Sequence, residues 1–189
     1  PKIIVAGEEA KERLLSSLML AFSSDPFHRW LMPEAHQYVE NYPVFTTALA
    51  GLAFAHNTAF YAEGFSAASL WMPPGVFADE DEVGAMIVNV APEPLLEIMG
   101  DIGVELEKYH PEHCWYLAVL GVDATYQGQG LVAFVLQDQL RRCDEEGVPA
   151  YLESSNPANI SLYQRHGFEV MGEVSFGNPV LTPMIREPR

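Results

Sequence analysis

Gln127-Gly128-Gln129-Gly130 stands between two very different stretches of chain. Before it lies Trp115–Val122 (WYLAVLGV), eight residues of which seven are apolar. That run is too short for an independent helix, and its length and flanks read as a buried strand. After it the apolar period becomes helical. Val132, Leu136, Leu140 and Cys143 form one stripe, with Leu131 and Val135 beside it. A strand feeding a glycine-rich turn that opens a helix suits one chemistry in particular. The first N–H groups of the helix have no intrahelical partner and lie at the positive end of its dipole. Glycines let the backbone approach a ligand with no Cβ between them. Together these make a cradle for a pyrophosphate. Two glycines before a helix serve equally as a mere tight connection, and on the glycines alone both readings stand.

The downstream half adds a second pattern. Residues 148–153 (VPAYLE) read as another short strand, followed by SSNPANISLYQRHGF. QGQG after an apolar strand, then N-x6-Y-x3-G-F from Asn156 to Phe168, resembles the GNAT superfamily of acyl-CoA-dependent N-acyltransferases. Within it, WYLAVLGV, GVPAYLESS and LYQRHGF are most similar to the branch containing puromycin N-acetyltransferase. The resemblance covers residues 115–186, and the N-terminal part matches loosely through AFSSDPFHRW and LWMPPG. It implies one α+β domain over residues 1–189, a central mixed and mostly antiparallel sheet flanked by helices. Residues 115–186 would be the cofactor-binding half and the N-terminal part would face the substrate. The co-substrate implied is acetyl-CoA and the acceptor a small-molecule amine.

Individual positions carry over from the same resemblance. Backbone N–H groups of Leu120, Gly121 and Val122 would polarise a thioester carbonyl and pair with the pantetheine arm. Gln127, Gly128, Gln129, Gly130, Leu131 and Val132 would receive the pyrophosphate. Asn156 stands at the family's cofactor-contacting position, with Asn159 near it. Residues 27–33 (FHRWLMP) fall where the acceptor pocket is commonly lined, which makes Phe27, His28 and Trp30 candidate substrate contacts; a hydrophobic latch on the core is the other reading. One departure stands out. The family's loop reads Q/R-x-x-G-x-G/A, and here Val132 holds the last position. Its branched side chain would crowd the pyrophosphate or lean on the neighbouring strand.

Acyl transfer needs an acid for the departing thiolate and a base for the amine. Phenol and thiol titrate within about two units of each other, so Tyr163 can serve as the acid; a core aromatic beside Phe168 is the alternative. Glu153, at the carboxyl end of its strand, is the candidate base, or else a carboxylate that merely caps the helix after Pro157. Asp25, His28 and Glu63 are further candidates for the base. No Cys or Ser stands out as a covalent nucleophile, so direct attack by the amine is expected. A non-catalytic acyl-CoA-binding or regulatory module is the rival reading, favoured by Val132. A P-loop lysine and a Rossmann GxGxxG are both missing.

The elements that must hold these residues are set by periodicity. Ile3–Val5 suits an edge strand, and residues 8–22 a helix ended by Ser23-Ser24-Asp25-Pro26. Residues 27–33 read as a loop. Residues 35–56 read as helix, with Pro43 kinking or restarting it. Residues 58–63 and 66–72 make a hairpin around Gly64. The acids Asp79 to Glu82 precede a helix and suit capping better than metal binding. Residues 95–109 give one more helical face, and His110-Pro111-Glu112-His113 a solvated loop; no metal site is indicated. Arg141 and Arg142 read as cations at a helix C-terminus. Residues 168–174 and 180–186 are two last strands.

Composition bounds the function. A net charge of −16 argues against nucleic-acid and anionic-membrane partners and could favour cationic substrates. Cys114 and Cys143 have no CxxC spacing and read as core thiols. No leader-like segment and no long apolar run stands in the sequence, so a cytoplasmic protein is expected. A homodimer is compatible with all of this.

Overall fold

The computed structural model describes residues 2–189. In chain order the elements are β1 (Ile3–Val5), α1 (Glu8–Ala21), α2 (Pro26–Leu31), α3 (Ala35–Ala50), α4 (Leu52–Ala55), β2 (Ala59–Ala62) and β3 (Ala67–Met72). Then come α5 (Glu80–Val90), α6 (Leu96–Glu107), β4 (Trp115–Val122), α7 (Leu131–Glu146), β5 (Ala150–Ser154) and α8 (Ile160–Arg165). The chain closes with β6 (Glu169–Val170), β7 (Val174–Ser175) and β8 (Val180–Arg186). The strands form one mixed sheet in the order β1-β2-β3-β4-β5-β8-β6, with β7 on β8. Only β4 and β5 run parallel; every other pair is antiparallel.

The sheet buries a different set of side chains on each face, as strand alternation requires. One core cluster joins Leu14 and Leu18 of α1, Tyr42 and Phe45 of α3, Met86 of α5 and Ile102 of α6. The other joins Leu136, Leu140 and Cys143 of α7 to Trp71, Trp115 and Leu152. Both cysteines are free and buried. Among the described residues no helix is long and apolar enough to cross a membrane.

Two irregularities in β4 position the site. Opposite β3, Leu70 pairs with Val119 but Trp71 pairs with Leu117, so Ala118 is an extra residue, a bulge. The bulge flips the alternation: Leu117 packs in the α7 cluster, whereas Val119 packs in the α1 cluster. On the other side, β4 pairs with β5 only through Trp115, Tyr116 and Leu117. Beyond that point β5 continues along β8 and the two parallel strands part. The stretch from Ala118 to Val122 keeps an edge with no strand beside it, facing a gap that opens toward α8.

Several sequence expectations need correction. Residues 27–33 are not a loop, because Asp25 caps α2 and Pro26 occupies its first turn, where a missing N–H costs nothing. Pro43 neither restarts nor ends α3; the carbonyl it leaves unpaired is that of Val39, an exposed residue that water can satisfy. The break comes at Gly51, where a Cβ would lie 2.4 Å from the Thr47 carbonyl oxygen. Residues 168–174 make the two short strands β6 and β7 rather than one. Arg141 and Arg142 are not in the last turn of α7; they pair with Asp138, Glu145 and Glu146 along it.

Candidate active site

The turn before α7 is built as a cradle. Gly128 and Gly130 have φ of +76° and +75°, in the left-handed region that L side chains avoid, and nothing lies within 4 Å of where their Cβ atoms would be. Gly130 is the N-cap of α7, and no side chain caps the helix. Its first N–H groups are therefore presented to a cleft of ≈ 670 Å³. The donor-site candidates Leu120, Gly121, Val122, Gln127, Gly128 and Gly130 line this cleft from one side. Leu131, Val132, Asn156 and Asn159 complete it. Gln129 does not line it; placed between the two left-handed glycines, its side chain is exposed at the tip of the turn. Val132 does both things open to it, packing on the α7 core cluster while one flank borders the cleft. Asn156 Oδ1 accepts from the Ala158 N–H (3.0 Å), which fixes the turn into α8.

A second cavity of ≈ 270 Å³ lies beyond the bulge, between β4, β5 and helices α3, α5 and α6. It meets the cleft at Phe22, Leu120, Asn159 and Tyr163. Phe27 and His28 line it. Trp30 does not: its ring lies 6.0 Å from Phe27 and packs against the core, because α2 turns it away from the two residues that face the cavity.

Glu153 lines the cavity and is held there by two phenols. Tyr116 donates to Oε2 (3.0 Å) and Tyr151 to Oε1 (3.1 Å). Burial raises its pKa above the ordinary carboxylate range, outweighing the two hydroxyls and His110, which act the other way. His110 lies edge-on to both phenols, 5.2 Å from Tyr116 and 4.8 Å from Tyr151. Its loop is thus docked on the site at this residue, a placement the HPEH pattern did not reveal.

Asp25 has a different part. It is 6% exposed and saturated with donors. Oδ1 accepts from the Phe27 and His28 N–H groups (3.1 Å each) and is 2.8 Å from His28 Nδ1, while Oδ2 accepts from Ser155 Oγ at 2.6 Å. Burial alone would raise its pKa, but the hydrogen bond and charge of His28, with Ser155, bring it below 3.8. With both oxygens engaged Asp25 is poorly placed to take a proton, and instead fixes the His28 ring in the wall. Glu63 lies in the exposed turn between β2 and β3 and borders neither cavity.

Tyr163 lies where the two cavities join. Its ring packs at 73° on Phe168, as a core aromatic would, yet its hydroxyl makes no hydrogen bond to any described residue. Burial, and then the charge of Asp25, raise its pKa, so the phenol keeps its proton at neutral pH. Among the described residues no three His, Cys, Asp or Glu side chains converge as metal ligands.

Comparison with known proteins identifies the family and the fold. The profile of the Acetyltransferase (GNAT) family matches residues 27–168. An uncharacterised N-acetyltransferase of Schizosaccharomyces pombe is 27% identical over 202 positions, covering 95% of this chain and 81% of that protein. A Corynebacterium glutamicum structure of "histone acetyltransferase HPA2 and related acetyltransferase" superposes with a TM-score of 0.67 at 18% identity, covering 100% of this chain and 97% of that one. The polyamine N-acetyltransferase of Drosophila melanogaster, which forms N-acetylagmatine, gives 0.62 at 14% identity, with 98% and 99% coverage. At these identities the structures show a shared fold. The matches do not single out the puromycin N-acetyltransferase branch.

Proposed function

Because the chain belongs to the GNAT family of acetyltransferases, we propose that it moves an acetyl group from acetyl-CoA to the primary amine of a small molecule. The observation that carries this reading is the junction of two cavities at the unpaired edge of β4, one ending in a glycine cradle and the other holding a carboxylate. The cradle fits a pyrophosphate: uncapped helix N–H groups, two glycines in left-handed conformation, and open space where side chains would stand. Acetyl-CoA supplies an acyl group already activated as a thioester.

The residues then divide the work. The edge of β4 from Ala118 to Val122 offers backbone N–H groups to the pantetheine arm and to the carbonyl oxygen. Glu153, its pKa raised by burial, takes one proton from the bound ammonium and passes it to solvent, then takes a second from the nitrogen as it attacks. Attack of the amine nitrogen on the carbonyl carbon forms the C–N bond and breaks the C–S bond. Tyr163 donates its proton to the departing thiolate and recovers one from solvent, to which Glu153 returns its own.

Calorimetric titration with acetyl-CoA tests the donor site, and free-thiol release with added amines tests the transfer. Micromolar binding and amine-dependent release are expected. Binding with no release from any amine would make the chain a non-catalytic acyl-CoA binder; no binding up to millimolar would overturn the reading. Tyr163→Phe should lower kcat while leaving the acetyl-CoA Kd nearly unchanged, and unaltered turnover would remove its role.

A further inference from the structure

We propose that the acceptor is a small monoamine on an apolar, ring-sized body that carries neither a carboxylate nor a second amine. This rests on the acetyltransferase reading above and concerns the acceptor cavity alone. Three independent features of that cavity lead to it.

Size comes first. At ≈ 270 Å³ the cavity is the smaller of the two, and it suits a small amine better than a peptide or a nucleoside, which would have to occupy the adjoining cleft as well. Surface chemistry comes second. The part of the wall that α3, α5 and α6 supply is apolar but for Thr46, built by Phe45 and Leu49 of α3, Ile87 of α5, and Met99, Ile102 and Leu106 of α6. Such a wall gains by covering a ring or an alkyl chain.

Charge is third, and it does the excluding. Among the described residues that line the cavity, Glu153 is the sole carboxylate, and none is Lys or Arg. One ammonium therefore has a partner. A second ammonium would be stripped of water against α5 and α6 with nothing to pair it, because the nearby Asp25 already has donors on both oxygens. A carboxylate on the acceptor would find no Lys or Arg, and the lining His28 already has its Nδ1 engaged by Asp25. The outer surface repeats the preference: between Asp79 and Glu107 the chain carries nine carboxylates and no Lys or Arg. Helices α5 and α6, which wall the cavity, thus present a field that draws cations and repels acids.

The test measures kcat/KM by thiol release for 2-phenylethylamine, hexylamine, 1,4-diaminobutane and phenylalanine, on protein whose acetyl-CoA binding has been measured by calorimetry. The two monoamines should exceed the diamine and the amino acid by about tenfold or more. A diamine or amino acid used equally well would overturn the proposal. If acetyl-CoA binds but none of the four is acetylated, the acceptor assignment fails while the donor site stands; if acetyl-CoA does not bind, the underlying reading fails instead. A variant gives a second check. Val83, half-buried on α5, lines the cavity, and Val83→Glu places a second carboxylate on the apolar wall. It should raise the preference for 1,4-diaminobutane relative to hexylamine by about tenfold. An unchanged ratio in a variant that still melts cooperatively would remove this cavity from acceptor recognition.

Discussion

Glu153 and Asp25 are two enclosed carboxylates whose surroundings send them in opposite directions. Asp25 receives four hydrogen-bonding groups and stays ionised, while Glu153 receives two phenols and is held toward its neutral form by burial. The consequences for stability are opposite too. A folded-state pKa raised above the unfolded value gives stability that is present at low pH and lost as pH rises through it. Above the ordinary carboxylate range, Glu153 is therefore a cost to the fold. Glu153→Gln should lower kcat by about 10²-fold or more and abolish the rising limb of the pH–rate profile. It should also raise Tm, by about 2–4 °C for each kcal/mol released. Both are read from one preparation, and a variant that loses activity and stability together would make Glu153 structural. For Asp25 the sign reverses, since a depressed pKa gives stability present above the ordinary carboxylate value and lost as pH falls through the folded one. Asp25→Ala, which removes the cap of α2 and leaves buried donors unpaired, should cost about 2–4 kcal/mol at neutral pH. By denaturant melts, the charge-linked part of that difference should begin to shrink only below about pH 4 and disappear as pH falls through the lower folded pKa of Asp25.

At the scale of elements, the turn from β4 to α7 decides whether the donor site exists. Gly130 caps α7 with φ +75°, so Gly130→Val sets a β-branched residue in the left-handed region at a cost of about 1–3 kcal/mol. Relaxing that strain turns the first N–H groups of α7 away from the cleft. Acetyl-CoA binding should weaken by about tenfold or more, as 1.4 kcal/mol implies, with Tm falling modestly; unchanged affinity would put the phosphate site elsewhere. This turn was legible in the sequence because its determinants are local: an apolar octet, two glycines and a change of period within a few residues. So were the hairpin of β2 and β3 and the acidic start of α5. What could not be read is what depends on distant partners. The bulge at Ala118 lies hidden in a continuous apolar run, since only pairing with Trp71 and Leu70 shows the extra residue. Asp25 looked like a helix stop because its bond to Ser155 spans 130 residues of chain. His110 looked solvated because the two phenols that receive it lie on β4 and β5. The parting of those strands, which exposes the edge of Ala118 to Val122, is a property of the sheet and of no single segment.

At the scale of the whole molecule, the net charge of −16 bears on the two substrates differently. A primary alkylamine is mostly cationic at neutral pH, since its pKa is near that of Lys, about 10.4. Drawn to the acidic surface of α5 and α6, it should arrive faster than diffusion alone would bring it. Screening sets the test, because the Debye length shrinks from about 30 Å at 0.01 M salt to about 3 Å at 1 M. Between about 0.02 and 0.5 M salt, kcat/KM for 2-phenylethylamine should fall several-fold while kcat stays level, because saturating substrate removes the encounter step from the rate. Aniline, uncharged at neutral pH, supplies the control, and its kcat/KM should be flat over the same range. The donor contends with the same field in reverse. An anionic cofactor approaching this protein must rely on what the cleft itself offers, the open N-terminus of α7 and Arg165 on the wall of α8. The local cradle is thus required by the global charge: without it, a chain this acidic would repel the polyphosphate it is proposed to bind. Parallel salt slopes for the two amines would show that the surface charge does not steer the acceptor, leaving the acids of α5 and α6 a solubilising role only.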